Sequence, residues 1–252
     1  MNRLTCAPEL AQWVEYYWTI EWDVGDTFPL VSRVVPHPVV TLSFESGSEP
    51  RHGFEMPAAL VHGVVTGRFA VDITGSGRAF GVRFRPGGFG AFTGAEVGGW
   101  TDRVSPASDA IDGTDELLPR VIAAGADVER ALLVDEFLRD RLPGPDPLYD
   151  KVMALIAGII ANPALTTVDA VFEEFGVSGR TLQRLFQRYV GVSPKWVLRR
   201  YRLHDAMTYI DQGRNDLAAL AAELGWTDQS HFTNEFHDVV GMTPGEYLRV
   251  RG

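Results

Sequence analysis

Seven basic side chains fall between residues 176 and 203, at Arg180, Arg184, Arg188, Lys195, Arg199, Arg200 and Arg202, and no acid interrupts them. Arginine presents a planar fork of donors to phosphate oxygens or to guanine O6 and N7, and glutamine pairs with adenine N6 and N7. Gln183 and Gln187 lie inside the same run. Such a set is the electrostatic footprint of nucleic-acid recognition, whereas a merely solvated helix surface mixes both signs. The run stands out because the chain is acidic, with a net charge of −10 over 252 residues. Residues 1–146 hold 12 basic and 21 acidic groups, and residues 147–252 hold 11 and 12.

Helices must position these groups. Val168, Val171, Phe172 and Phe175 follow the i, i+3, i+4, i+7 rule of a one-sided helix, and so do Leu182, Leu185, Phe186 and Tyr189. Gly176 suits the end of the first helix and Ser178 the cap of the second, which gives a helix-turn-helix unit. The unit recurs. GVSPKWVL at 191–198 returns as GMTPGEYL at 241–248, and at the same offset of 50 Leu182 matches Phe232, Phe186 matches Phe236 and Val190 matches Val240. Upstream the offset is 49, the slip falling in the turn. Two units are therefore expected, near 167–190 and 216–240, joined by a long helix over about 194–212. Two copies are too few for a solenoid, but on a rigid linker they suit successive major grooves, about 34 Å apart.

The first 95 or so residues read differently. Tyr16, Trp18, Ile20 and Trp22 alternate with Tyr17, Thr19, Glu21 and Asp23, and Val40, Leu42 and Phe44 with Thr41, Ser43 and Glu45. Phe69, Val71 and Ile73, then glycines, then Phe80, Val82 and Phe84 suggest a hairpin. The expected fold class is α+β in two domains. An N-terminal antiparallel β-barrel or sandwich with trailing helices occupies 1–142. Leu142-Pro143-Gly144-Pro145-Asp146-Pro147 supplies a linker at 143–147, and an all-α domain occupies 148–252. Residues 1–142 are expected to fold without the rest. Pro119 is expected to interrupt a short helix. A second helix over 128–138 has more apolar positions than one stripe needs, with Leu133 and Val134 beside Leu132 and Phe137, which suits a homodimer contact or an interdomain contact, the former slightly favoured.

Composition excludes several classes. At 45% hydrophobic the chain is not disordered, and its single cysteine rules out an internal disulfide or a multi-cysteine zinc site. The longest apolar run, 152–161, is half a membrane span, and the N-terminal MNRLTCAPEL has no apolar leader, so a cytoplasmic protein with no membrane partner is expected.

SGRTLQRLFQRYVGVSPKWVLRRYRLHDAM and DLAALAAELGWTDQSHFTNEFHDVVGMTPGEYLR, within residues 165–249, resemble the AraC family of bacterial transcription regulators. The resemblance implies a seven-helix DNA-binding domain with a recognition helix in each unit, and a separate sensing or dimerisation domain. PHPVVTLSFE at 36–45 and FGVRFRPGGFGAFTG at 80–94 are similar to a subgroup with a cupin-like β-domain. By resemblance Arg180, Gln183 and Arg184 occupy base-reading positions. Thr181, Gln187 and Arg188 also face outward, and Arg188, Lys195, Arg199 and Arg200 are assigned to phosphates. In the second unit the outward positions are Gln229, Ser230, Thr233 and Asn234, followed by His237 and Asp238. Glu235 is read as a further negative charge, so the second unit should read DNA weakly.

The expected activity is sequence-specific binding of double-stranded promoter DNA, modulated by a small-molecule effector or by homodimerisation, with RNA polymerase as a further partner. Tyr16, Trp18, Trp22, Arg83 and Arg85 are the candidate effector residues, although alternation favours core packing for the three aromatics. His37, His52 and His62 lack the close histidine and glutamate pairing of metal-binding cupins, so no metal, cofactor or catalytic residue is expected. Two alternatives stay open: an enzyme (a cupin-like catalyst or a DNA-repair transferase using Cys6) fused to a DNA-binding unit, and a ligand-independent regulator whose β-domain docks a protein.

Overall fold

The computed structural model describes residues 1–25 and 30–251, with the side chains of 30–34, 69–72 and 251 excepted. The alternation read at Phe69 and Val71 lies outside the described side chains. Among the described residues eight strands form two sheets: β1 (Asn2–Leu4), β2 (Val14–Asp23), β3 (Leu30–Val34), β4 (Thr41–Gly47), β5 (Ala58–His62), β6 (Phe69–Ile73), β7 (Ser76–Phe84) and β8 (Val104–Pro106). Six pair antiparallel in the order β1-β2-β7-β4-β5-β8, and β3 pairs with β6 separately. Among the described residues the large ladder ends at β1 and β8 without closing into a barrel.

The expected hairpin between β6 and β7 does not form. Both edges of β7 are taken, one by β2 and one by β4, so the chain turns at Gly75, in the left-handed region at φ +60°, and changes sheet. One face of the large sheet carries Tyr17, Leu42, Phe44, Ala59, Val61, Phe80 and Val82 into the core. Helices α2 (Thr114–Ala123) and α3 (Asp127–Arg139) cover it through Leu117, Val121, Val134 and Leu138. Asp135 of α3 accepts from the Tyr17 hydroxyl at 2.7 Å and the Ala7 N–H at 2.9 Å, which fixes α3 across β2. Helix α2 runs through Pro119 without a break. In α3 it is Val128 and Leu132 that are exposed, while Val134 is buried and Leu133 partly so.

A short helix, α1 (Gly88–Thr93), follows β7 where the glycines suggested only a break. Its glycines serve close approach. A Cβ on Gly88 would lie 2.3 Å from the Trp13 carbonyl oxygen, and one on Gly90 2.7 Å from Val97 and 3.2 Å from the Tyr189 carbonyl oxygen.

Seven helices make up the C-terminal part of the described chain: α4 (Pro147–Ala161), α5 (Val168–Phe175), α6 (Gly179–Leu185), α7 (Pro194–Asp211), α8 (Leu217–Glu223), α9 (Gln229–Val240) and α10 (Pro244–Arg251). Helix α6 runs on into a π-helical turn over Phe186–Val190. The apolar packing does not divide at the prolines. One continuous cluster runs from Leu10 to Leu198 and takes in the sheet, α4 and the first helix-turn-helix unit; a second runs from Leu203 to Tyr247. Tyr149 and Tyr189 are buried in the shared cluster. The Tyr149 hydroxyl donates to the Gln12 carbonyl at 2.8 Å, and Thr101 Oγ1 donates to the Gly191 carbonyl at 2.7 Å. Helix α7 and the second unit meet the N-terminal part through Val35, which packs against the second cluster, and through polar groups: His37 stacks on His204 at 3.8 Å, Arg200 donates to the Thr66 carbonyl at 3.0 Å, and Arg68 donates to the His237 carbonyl at 3.2 Å.

Two expectations follow. Gly90→Val forces a branched side chain against Val97 and Tyr189 and should cost about 1–3 kcal/mol, read as a lowered Tm of the sheet and the first helical unit together. Burial holds His37 down to about 3 and His204 down to about 4, each facing other positive groups. An unfolded histidine takes its proton near pH 6.5, so below that the unfolded state binds more protons and stability falls as pH drops towards 4. Denaturant titrations between pH 7.5 and 4.5 should show this loss, and His204→Phe should flatten it.

Candidate nucleic-acid interface

Gly176 ends α5 at φ +63°, and Ser178 Oγ accepts from the Thr181 N–H at 3.3 Å, so the turn and cap anticipated between α5 and α6 are present. Leu182, Leu185, Phe186 and Tyr189 are all buried. Arg180, Gln183, Arg184, Gln187 and Arg188 are exposed, with Thr181 partly covered at the helix start. The Tyr189 hydroxyl donates to Asp146 Oδ2 at 2.7 Å, while Oδ1 of the same carboxylate caps α4. One side chain at the proline-rich junction thus ties α4 to the end of the basic helix.

The outward face of α6 opens on a groove of about 920 Å³ whose far wall is Glu96, Gly98 and Gly99 of the N-terminal part. Gln187 lies across Gly98, where a Cβ would sit 2.0 Å from its Nε2. The side chains assigned to bases and those of the sheet-bearing part therefore share one cleft, which the sequence did not signal.

The other basic residues separate into kinds. Lys195 is exposed at the start of α7. Arg200, assigned to phosphates, is instead 3% exposed, lies 4.5 Å over the Trp196 ring and bonds Thr66. Burial lowers its pKa to about 10, which leaves it charged at neutral pH. It continues the row Pro194, Val197, Leu203 and Ala206 at intervals of three along the buried stripe of α7. Arg199 is half exposed, with its Nε on Glu235 at 3.1 Å.

Glu235 is not a surface charge. It is 4% exposed, accepts from Arg199 Nε, Arg202 Nη2 and Trp226 Nε1, each at 3.1 Å, and lies 3.6 Å from His231. Arg202 also stacks on Trp226 at 4.2 Å. The internal repeat carried the signal, since the offset of 50 sets Glu235 opposite the buried Leu185. Gln229, Ser230, Asn234, His237 and Asp238 are exposed on α9 and Thr233 partly so; Asp238 is then the remaining acid on that face.

Residues 2–106 match a domain of unknown function (DUF6597), and residues 171–250 match a helix-turn-helix domain. The chain is similar to the invasion protein InvF of Salmonella typhi, 26% identical over an alignment of 116 positions that covers 42% of this chain and 54% of that protein. It is similar to the HTH-type transcriptional activator RhaS of Shigella boydii, 32% identical over 33% of this chain and 30% of the activator. Residues 171–250 are an AraC-type helix-turn-helix domain. Among solved structures, ToxT of Vibrio cholerae aligns over 92% of this chain and 98% of its own at 10% identity, with a TM-score of 0.45. A probable AraC family regulator of Rhodopseudomonas palustris aligns over 40% of this chain and 97% of its own, at 27% identity and a TM-score of 0.36. The chain spans about half or less of the length of the curated relatives it matches.

Outside the AraC-type domain, Tyr16, Trp18 and Trp22 lie on the opposite face of β2 from the core, half-buried, and core packing does not account for them. Trp18 lies over Gly81 and Trp22 over Gly77, and each glycine leaves room that a Cβ would fill. Tyr16 sits between Arg3, at 4.5 Å, and Arg83, at 5.5 Å. Arg83 pairs with Glu15 at 2.6 Å and Arg85 bonds the Ala11 carbonyl at 2.7 Å, so both arginines have partners within the fold.

Removing Glu235 strands two arginines and an indole N–H. Glu235→Ala should cost about 3–5 kcal/mol. The loss should appear as selective proteolysis within 203–247, with the sheet and first unit retained.

Proposed function

We propose that the protein is a transcription regulator that binds double-stranded promoter DNA through both units of its AraC-type domain. The observation that carries this reading is the acid-free face of α6, where Arg180, Gln183, Arg184 and Arg188 stand exposed on a capped, core-anchored helix. Arg180, Gln183 and Arg184 read bases, with Thr181 beside them. Arg188 and Lys195 take phosphates, and Arg199 adds to them with the part of its guanidinium that Glu235 does not engage. Gln229, Ser230, Thr233 and Asn234 form the second, weakly read half, because no cation accompanies them.

The division into a sensing part at 1–142, a linker at 143–147 and a DNA-binding part at 148–252 belongs to this reading, with regulation passing through the shared core and the groove beside α6. A small molecule held on the half-buried aromatic face of β2 is the effector class that fits. Self-association uses the exposed Val128 and Leu132 of α3, and RNA polymerase is the partner at the promoter. The protein acts in the cytoplasm; no helix among the described residues is long and apolar enough to cross a membrane. Catalysis through Cys6 is disfavoured, because burial and Asp135 push its thiol above the ordinary range, opposite to what an attacking thiolate needs.

Selection of bound sites from random DNA tests the reading, with loss of all sequence preference as the result that overturns it. On the selected site, Arg184→Ala should cost about 1–3 kcal/mol and relax preference at one base pair. Arg188→Ala should weaken all sequences alike and lower the slope of log K against log salt by about 0.9. Arg200→Ala should leave that slope unchanged. A base-by-base scan should find Gln183→Ala more damaging than Gln229→Ala.

A further inference from the structure

The face of the large sheet turned away from the main core holds a group that DNA binding does not use. Glu45 of β4 is 4% exposed, yet it lies among polar side chains. Its Oε1 accepts from Ser43 Oγ at 2.7 Å and lies 3.1 Å from Nε2 of His62 on the neighbouring strand β5. His52 arrives from a separate turn closed by the pairing of Arg51 with Phe54. Its backbone is in the left-handed region at φ +54°, unusual for a residue with a side chain. That turn brings His52 Nε2 to 3.9 Å from Glu45 Oε2 and sets its ring edge-on to His62 at 4.8 Å. One ligand atom from each of the three residues lies within 4.8 Å of the others.

We propose that Glu45, His52 and His62 form a three-ligand site for a zinc-class divalent cation, with a fourth position open to water or an exogenous ligand. Two imidazoles and one carboxylate suit zinc, cobalt or nickel, whereas calcium and magnesium ask for more oxygens. Tetrahedral bonds of ~2.0–2.1 Å set ligand atoms ~3.3 Å apart. The Glu45–His62 separation already fits, and His52, on its turn, closes the remaining gap. Arg51 takes the other carboxylate oxygen, Oε2, at 2.9 Å while its guanidinium lies 4.2 Å over Trp22. It thereby turns Oε1 towards His62 and leaves His52 nearer Oε2, as partners of metal-bound carboxylates orient them. Sequence spacing hid the group because it paired His37 with the other two histidines, while in the fold His37 is committed to His204.

The site is independent of the DNA interface, so its failure would leave that reading untouched. The test uses the untagged full chain, stripped with a chelator and dialysed, then titrated with zinc chloride by calorimetry and with cobalt chloride by visible absorption. One ion per chain is expected, with the intense absorption of a four- or five-coordinate cobalt centre. His52→Ala and His62→Ala should each weaken zinc binding at least about a hundredfold, the upper end of what losing a mere supporting partner costs. His237→Ala, a surface control, should change nothing. Circular dichroism confirms folding, and His52→Gln replaces any variant that unfolds. No saturable binding, or unchanged affinity when both His52 and His62 are replaced, overturns the proposal.

Discussion

The core shared between the sheet and the first helix-turn-helix unit is the constraint on which the rest depends. Tyr149 and Tyr189 are buried among side chains contributed by β2, α1 and α4, and Asp146 bonds both α4 and Tyr189. The position of α6 therefore follows from the packing of residues far outside its own domain. A change on the sheet reaches the basic helix through close-packed contacts, and interiors packed to crystal-like density transmit such displacements.

Much of this was legible in the residues. The apolar spacing of 182, 185, 186 and 189, the glycine at 176 and the serine at 178 specified a capped helix, and local chemistry decides such features. The repeat predicted shared interior positions, and Phe232, Phe236 and Val240 are buried as their counterparts are. Helix α1 was hidden because glycine is a helix breaker locally, whereas here Gly88 and Gly90 answer to Trp13 and Tyr189, distant in sequence. The partner of β6 was hidden for a similar reason, since adjacency in sequence favours a hairpin and only the occupancy of both β7 edges forbids it.

Charge was the least legible property. Counting treats every arginine and glutamate as a surface group, but Arg200 and Glu235 are interior. A buried carboxylate with two arginines and an indole N–H is a specificity device more than a source of net stability, because desolvation consumes much of the attraction. It fixes how α7 crosses α9. The basic surface that remains is narrower than the run of seven implies, and it lies almost wholly on α6 and the start of α7.

Helix α7 leaves the first core at Leu198 and enters the second at Leu203, a little over one turn later. Its 18 residues make a stiff rod of about 27 Å. Among the described residues the second unit shares no apolar cluster with the first, so in the proposed DNA-binding reading this rod sets the pitch at which the two recognition helices would meet a duplex. A base pair inserted between half-sites rotates the second by roughly 35°, as well as moving it along the axis. The rod cannot follow that rotation without bending or unwinding. Under the proposed function the protein would thus carry a fixed gauge for operator geometry, and spacing between half-sites would become part of the information it reads, alongside the bases themselves.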